Sequence, residues 1–267
     1  MREILDRDPI WFKHVRAVSV CTADLIPQLN VQRGNVRQLV SAVLYRRIAS
    51  AFEAVIVLAE RGMYTEGLNQ RRSMLEGLFV LGALWKEPSL VEKYLEDDQH
   101  RVLRILKNIK KTSPMIQDVI APILSPVSLD KKVAGLKSST AGQNATTTAA
   151  YAEAAGLYDY YLTDYSFASE ASHHVAKDLE RQIALDEDGN VDGVYWGPEA
   201  EPPSELLSNA VDYMLKAIAV VEDLFELGTS EVASYLRART DELNESIHGG
   251  TMPSTLAKVK LHSKKIT

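Results

Sequence analysis

The chain has 267 residues, is 46% hydrophobic and 25% charged, and carries a formal net charge of -6. These are the proportions of an ordinary globular protein, long enough for a sizeable core in one large domain or two small ones. The negative balance gives no global reason to expect nucleic-acid or membrane binding, although a local basic patch stays compatible with it.

A single cysteine, Cys21, rules out an intrachain disulfide and gives no sign of an oxidising compartment. The opening MREILDRDP alternates charge where a secretory leader would run apolar. The longest apolar stretch, Met74 to Trp85, contains Glu76 and is too short to span a bilayer. The expectation is a cytoplasmic protein with no membrane contact.

Proline and glycine then punctuate the chain at helical intervals. Residues 2–29 read as a first helical region, broken or begun at Pro9 and ended near Pro27. Asn35 is an N-cap for a long helix reaching Gly62, with Val36, Val40, Val43, Leu44, Ile48, Phe52, Val55 and Ala59 on its apolar side. A third helix spans about 66–85 and turns Leu68, Leu75, Leu78, Phe79 and Gly82 to the core. Ser89 can cap a fourth, whose inner face is predicted to hold Val91, Tyr94, Leu95, Val102, Ile105, Leu106 and Ile109.

Pro114, Pro122 and Pro126 restrict the next segment to short helices or turns, and residues 141–150 read as a small, polar surface loop. A helix follows over about 158–177. Residues 180–196 read as a β-hairpin with turn chemistry in Asp188, Gly189 and Asn190. Two further helices, about 203–228 and 230–246, close the chain. The fold class is therefore all-α, an irregular multi-helix bundle with one small hairpin. Residues 1–34 form an N-terminal helical extension, 35–248 the bundle, and 249–267 a basic tail carrying Lys258, Lys260, Lys264 and Lys265. The tail reads as a solvated terminus, with contact to nucleic acid or acidic protein as the alternative.

Two helical faces carry chemistry. Arg72 precedes Leu75 by three residues and Phe79 by seven, which puts it on the apolar stripe, and Glu76 lies one turn further on. A charged pair aimed into a core is costly unless hydrogen-bonded, so its phase singles it out. On the later helix Tyr161, Tyr165, Ser169 and His173 recur every four residues. Tyr158, Leu162, Ala168 and Ala176 share that predicted buried face. If the two helices pair, Arg72, Glu76, Tyr165, Ser169 and His173 form either a register-fixing network or a site. In a site Arg72 would hold an anion, His173 would transfer protons, Glu76 would orient it, and Tyr165 and Ser169 would support.

The segment LAERGMYTEGLNQRRSMLEGLF resembles the Arg-Ser-x-Leu-Glu motif of a large bacterial family of unknown function, where a glycine-containing helix break precedes it. The Tyr165, Ser169, His173 run resembles that family's second motif, followed by a hairpin, Gly197-Pro198 and a long helix. The resemblance covers about residues 35–228. It implies an all-helical fold and a bacterial host, supplies no reaction, and carries only a loose association with stress and phage-defence functions.

Other motifs fail. Arg7 and His14 match the Arg-x4-6-His spacing of helical ribonucleases, but fifteen arginines and six histidines supply about one such match by chance, and Pro9 interrupts it. A di-metal bundle would need Glu-x-x-His twice. Glu170 and His173 fit, and Asp97 and His100 come close, yet His100 is predicted to face solvent. A mononuclear centre of Glu76, Asp98 and His173 is the weaker alternative. Asp186, Asp188, Asn190 and Asp192 open like a calcium loop, but Val191 and Gly197 stand where glycine and the closing glutamate belong. No cofactor motif occurs. The functional expectation is a polar pocket for a phosphate-bearing ligand or RNA. The alternative is a non-catalytic helical scaffold that pairs with a partner or a second copy through the helix from Asn35 to Gly62.

Overall fold

Proline and capping residues set the boundaries of the helices in the computed structural model, which describes residues 2–124, 129–140, 144–171, 183–186, 190–194, 197–198 and 201–247. A short α1 (Arg2–Leu5) precedes α2 (Pro9–Leu25), in which Pro9 occupies the first turn, where its missing N–H costs nothing. A 3₁₀ turn containing Pro27 ends it. The Asn35 side chain accepts from the Gln38 N–H at 3.0 Å and starts α3 (Val36–Glu60). Gly62 ends that segment with a φ of 69°. A Cβ on Gly62 would sit 2.6 Å from the Pro198 Cβ, so glycine is required there twice over.

The third long element is α4 (Tyr64–Lys86), followed by α5 (Leu90–Ile109), α6 (Pro114–Leu124), α7 (Leu129–Ser139) and α8 (Thr148–Ala155). Ser89 starts α5 without a side-chain cap, contrary to the sequence expectation. The tyrosine-rich segment is one helical run in three parts: α9 (Tyr158–Tyr160), a π-turn (Tyr161–Tyr165) and α10 (Ser166–Ala171). Strands β1 (Ile183–Leu185) and β2 (Val191–Val194) pair antiparallel with Ile183 opposite Val194. The chain then forms α11 (Pro203–Leu224) and α12 (Glu231–Ile247). The fold is all-α with a small hairpin. Among the described residues no helix is long and apolar enough to cross a membrane.

Helix α4 lies at the centre, with α3, α8 and α11 packed around it. Gly67 lets α11 approach closely, since a Cβ there would meet the Leu206 Cδ2 at 2.4 Å. The Arg37 guanidinium reaches the free carbonyls at the end of α4, donating to Leu84 at 2.8 Å and Trp85 at 2.5 Å. Trp11, Phe12, Val15 and Val18 of α2 belong to the same core. The basic tail 249–267 lies outside the described residues.

Three predicted apolar faces need correction. Val36 and Val43 of α3 are exposed, because the core touches the adjacent arc of Leu44, Tyr45, Ile48 and Phe52. Leu95, Val102 and Ile105 of α5 are exposed as well. The buried apolar residues there are Val91, Leu103 and Leu106, the last two packing with Val133 of α7 in a separate small core. Helix α5 thus spans two clusters, and one continuous inner face does not describe it. Tyr158 and Leu162 are also exposed.

Candidate functional site

The paired arginines of α4 part company by one residue. Consecutive helix positions diverge by about 100°, and the buried side chains of α4 centre on Arg71, which is 3% exposed. Arg72 therefore leaves the middle of the stripe for its edge, with a half-buried side chain, and Glu76 is more exposed still. This corrects the prediction of a pair buried in the core.

The edge position suits contact with the tyrosine run. Arg72 Nε lies 3.3 Å from Glu76 Oε1, and its Nη2 donates to the Tyr165 hydroxyl at 3.3 Å. The Tyr165 O–H donates to Glu76 Oε1 at 3.0 Å, so guanidinium, carboxylate and phenol close a triangle between α4 and the π-turn. Burial first, then the Glu76 charge, push the Tyr165 phenol above its usual value against the pull of Arg72. The Arg72 guanidinium is raised despite burial, chiefly by Tyr165 and then by Glu76. In this state Tyr165 is a proton donor and Arg72 a fixed cation. Ser169 follows one turn later, half-buried. His173 lies outside the described residues.

The π-turn builds a ladder. Tyr158, Tyr161 and Tyr165 stack with centroids 5.7 and 5.3 Å apart and planes within 19° and 18° of parallel. Arg72 covers the Tyr165 ring at 5.3 Å, and Phe79 meets Tyr161 and Tyr165 edge-on. The wide turn is held by Ser166 Oγ, which donates to the Tyr161 carbonyl at 2.9 Å. On the opposite side Tyr160 donates to Asp212 at 2.9 Å, and Asp164 accepts from Tyr213 at 2.8 Å, so α11 anchors the run. π-Turns inside helices concentrate at functional sites.

Two adjoining recesses open beside the triangle. One of about 370 Å³ is lined by Arg47, Glu76, Tyr94, Arg101, Thr146 and Thr148 among others. The other, of about 600 Å³, has His100, Arg101, Arg104, Thr146, Thr147, Thr148, Tyr161 and Tyr165 in its wall. Arg101, Thr146 and Thr148 are common to both, which joins them into one cleft between α4, α5, the start of α8 and the tyrosine run.

Asp97 positions its far wall. This buried carboxylate accepts from the Thr146 N–H at 3.0 Å and the Tyr151 hydroxyl at 2.8 Å, with Lys93 3.5 Å away. Burial opposes its ionisation, yet the Thr146 and Tyr151 hydrogen bonds and Lys93 outweigh it and hold Asp97 below the usual carboxylate range. Residues 144–147 are thereby tied to α5, and the Thr147 hydroxyl caps α8 by accepting from Ala150 at 3.2 Å. Thr146, Thr147 and Thr148, at the N-terminal end of α8, line the cleft, and the start of a helix favours negative charge.

Arg47, Arg101 and Arg104 are exposed, and among the described residues none is in an ion pair. These three residues, Thr146 and Thr148 escaped the sequence reading. The available signal was Asp97, Arg101 and Arg104 at i, i+4 and i+7 on one helical face. His100, expected at the surface, is half-buried beside them, and its Nε2 is shielded from solvent. Asp98 points outward, away from Glu76's cleft, while its neighbour Asp97 points in. Among the described residues no three His, Cys, Asp or Glu side chains are grouped to hold a metal ion. His14, half of the ribonuclease-like spacing, is buried and hydrogen-bonded to Thr240 at 2.8 Å.

These features define an all-helical protein with a cationic, tyrosine-walled cleft. The chain belongs to a family of unknown function, DUF5677, whose model matches residues 38–191. The match runs from α3 to the start of β2 and includes every described residue of the cleft. No curated protein and no solved structure matches the chain.

Proposed function

We propose that the cleft binds a phosphate-bearing anion. The observation that carries this reading is the convergence of Arg47, Arg101 and Arg104 on one concave surface, none of them in an ion pair among the described residues. In a chain of net charge -6, such a concentration of unneutralised guanidinium groups attracts anions locally and offers forked donors that match phosphate oxygens. The two lining carboxylates do not cancel it, because Glu76 is engaged by Arg72 and Tyr165, and Asp97 by Thr146, Tyr151 and Lys93.

In this reading Arg101 and Arg104 grip the phosphate, and Arg72 adds a fixed positive charge behind Glu76 and Tyr165, which line the cleft. Glu76 and Tyr165 hold Arg72 in place, Ser169 supports them, and His173 is the candidate acid–base group should a reaction follow binding. The bacterial cytoplasm, and stress or phage defence, enter as the proposed setting through the sequence resemblance alone.

Replacing Arg101 and Arg104 together with alanine is expected to weaken binding of inorganic tripolyphosphate at least tenfold and to flatten its salt dependence. The melting temperature should stay within a degree or two, since both side chains are exposed. Calorimetric titration of the two proteins checks this, and equal affinities would remove the proposal.

One observation favours the scaffold reading. Val36, Leu39 and Val43 form an exposed apolar stripe on the first turns of α3. If that stripe pairs two copies, light scattering should report a dimer in wild type and a monomer for Leu39→Glu. A monomeric wild-type protein would dismiss it.

A further inference from the structure

Resting on the anion-binding reading, we infer that the ligand of the cleft is single-stranded RNA, with its phosphates on Arg101 and Arg104 and an unpaired base on the outer face of Tyr158. An anion site alone needs no aromatic wall, yet this cleft has one. Tyr165 and Tyr161 line the same recess as Arg101 and Arg104. Their stack continues outward to Tyr158, which is 42% exposed. The Arg72 guanidinium lies over the Tyr165 ring at one end of the ladder, and the exposed ring of Tyr158 stands at the other.

Stacking on a tyrosine face beside arginines is how single strands are held without base pairing, because every base presents a π-face. The shape agrees. Both recesses are open to solvent and adjoin at Arg101, Thr146 and Thr148, so the concave surface is longer than either recess alone and suits an extended ligand. Arg101 and Arg104 stand one helical turn apart and can take successive phosphates. A duplex keeps its bases stacked on one another and offers nothing to Tyr158.

Fluorescence anisotropy with a short labelled oligoadenylate tests this, with tripolyphosphate and an RNA duplex of matched sequence as competitors. Tyr158→Ala is expected to weaken oligoadenylate binding about tenfold, Tyr158→Trp to restore it, and neither to change tripolyphosphate affinity. The single strand should outcompete the duplex. If Tyr158→Ala leaves oligoadenylate binding intact, or the duplex competes equally, the RNA inference is overturned while tripolyphosphate binding keeps the anion site. If neither oligoadenylate nor tripolyphosphate binds, both readings are lost together.

Discussion

Arg71→Ala is expected to lower the melting temperature by about 6–12 °C, whereas Arg72→Ala, one residue further on, should shift it by no more than about 2 °C. Arg71 is enclosed by α4 and α11. Its Nη2 donates to the Tyr213 hydroxyl at 3.4 Å, and the guanidinium lies 5.8 Å from that ring's centroid. With the Asn209 amide oriented as hydrogen bonding requires, its oxygen accepts from both Nη atoms at 3.0 and 3.2 Å. The Tyr213 hydroxyl in turn donates to Asp164 at 2.8 Å, so the chain of contacts joins α4, α11 and the π-turn.

Burial, then the Asp164 charge, push the Tyr213 phenol well above its usual value, with Arg71 pulling the other way. Truncating Arg71 strands the Asn209 oxygen and opens a void, a loss of about 3 kcal/mol on the scale of broken buried polar contacts. Arg72 is different, since its ion pair with Glu76 lies in partly exposed surroundings and is worth less than about 1 kcal/mol. Its loss should be felt in the cleft instead, through the uncovered Tyr165 ring. Thermal melts of the two variants decide the matter, and a larger drop for Arg72→Ala would reverse the two roles.

The second large effect concerns acid. His14 of α2 is 6% exposed, and its pKa is held down to about 4, by burial first and then by Arg239. The Thr240 hydroxyl donates to the Leu236 carbonyl at 2.7 Å, which leaves its oxygen free to accept from His14 Nε2 at 2.8 Å. The neutral ring therefore carries its proton on Nε2. Protonation would add a second N–H and a charge within reach of Arg239, beside the Trp11 ring. The unfolded chain takes up this proton near the ordinary histidine value of about 6.5, before the folded chain does.

Between those values the unfolded state binds more protons, so stability declines as the pH falls. The contribution is whole above pH ~6.5 and gone below pH ~4, with up to about 3 kcal/mol lost across the window. Asp241 on α12 acts in the opposite sense, because burial and then Asp212 raise its pKa. His14→Gln, which keeps an N–H donor but cannot titrate, isolates the histidine. Urea midpoints at pH 7 and pH 4.5 should differ much more in wild type than in the variant, and parallel losses would refute the assignment.

Helical placement followed closely from local chemistry, and site geometry only in part. The spacing of Tyr161 and Tyr165 placed both on the side facing α4, and the Arg72, Glu76 and Tyr165 side chains do meet. What the spacing could not supply was depth. Arg71 sits in the middle of the buried arc of α4 and Arg72 at its edge, yet the spacing to Leu75 and Phe79 is compatible with either being buried. On α5 the error had another source, because Val102 and Ile105 were assigned to one continuous core while Leu103 and Leu106 turn toward α7. Shifting the helix by that one position is what brings Asp97, Arg101 and Arg104 into the cleft. Residues 144–147 were read as a plain surface loop because nothing in a run of threonines announces that Asp97 will hold Thr146.

The amino-acid sequence alone determined where α2, α3 and α11 begin and where α3 ends, because Pro9, Asn35, Pro203 and Gly62 act through their own backbone angles and hydrogen bonds within a turn. It also determined which residue types could supply charge and aromatic surface. The tertiary structure decided which of them share a wall. Whether a side chain at the margin of a stripe is covered depends on how neighbouring helices approach, and the two-part packing of α5 arises from its contact with α7.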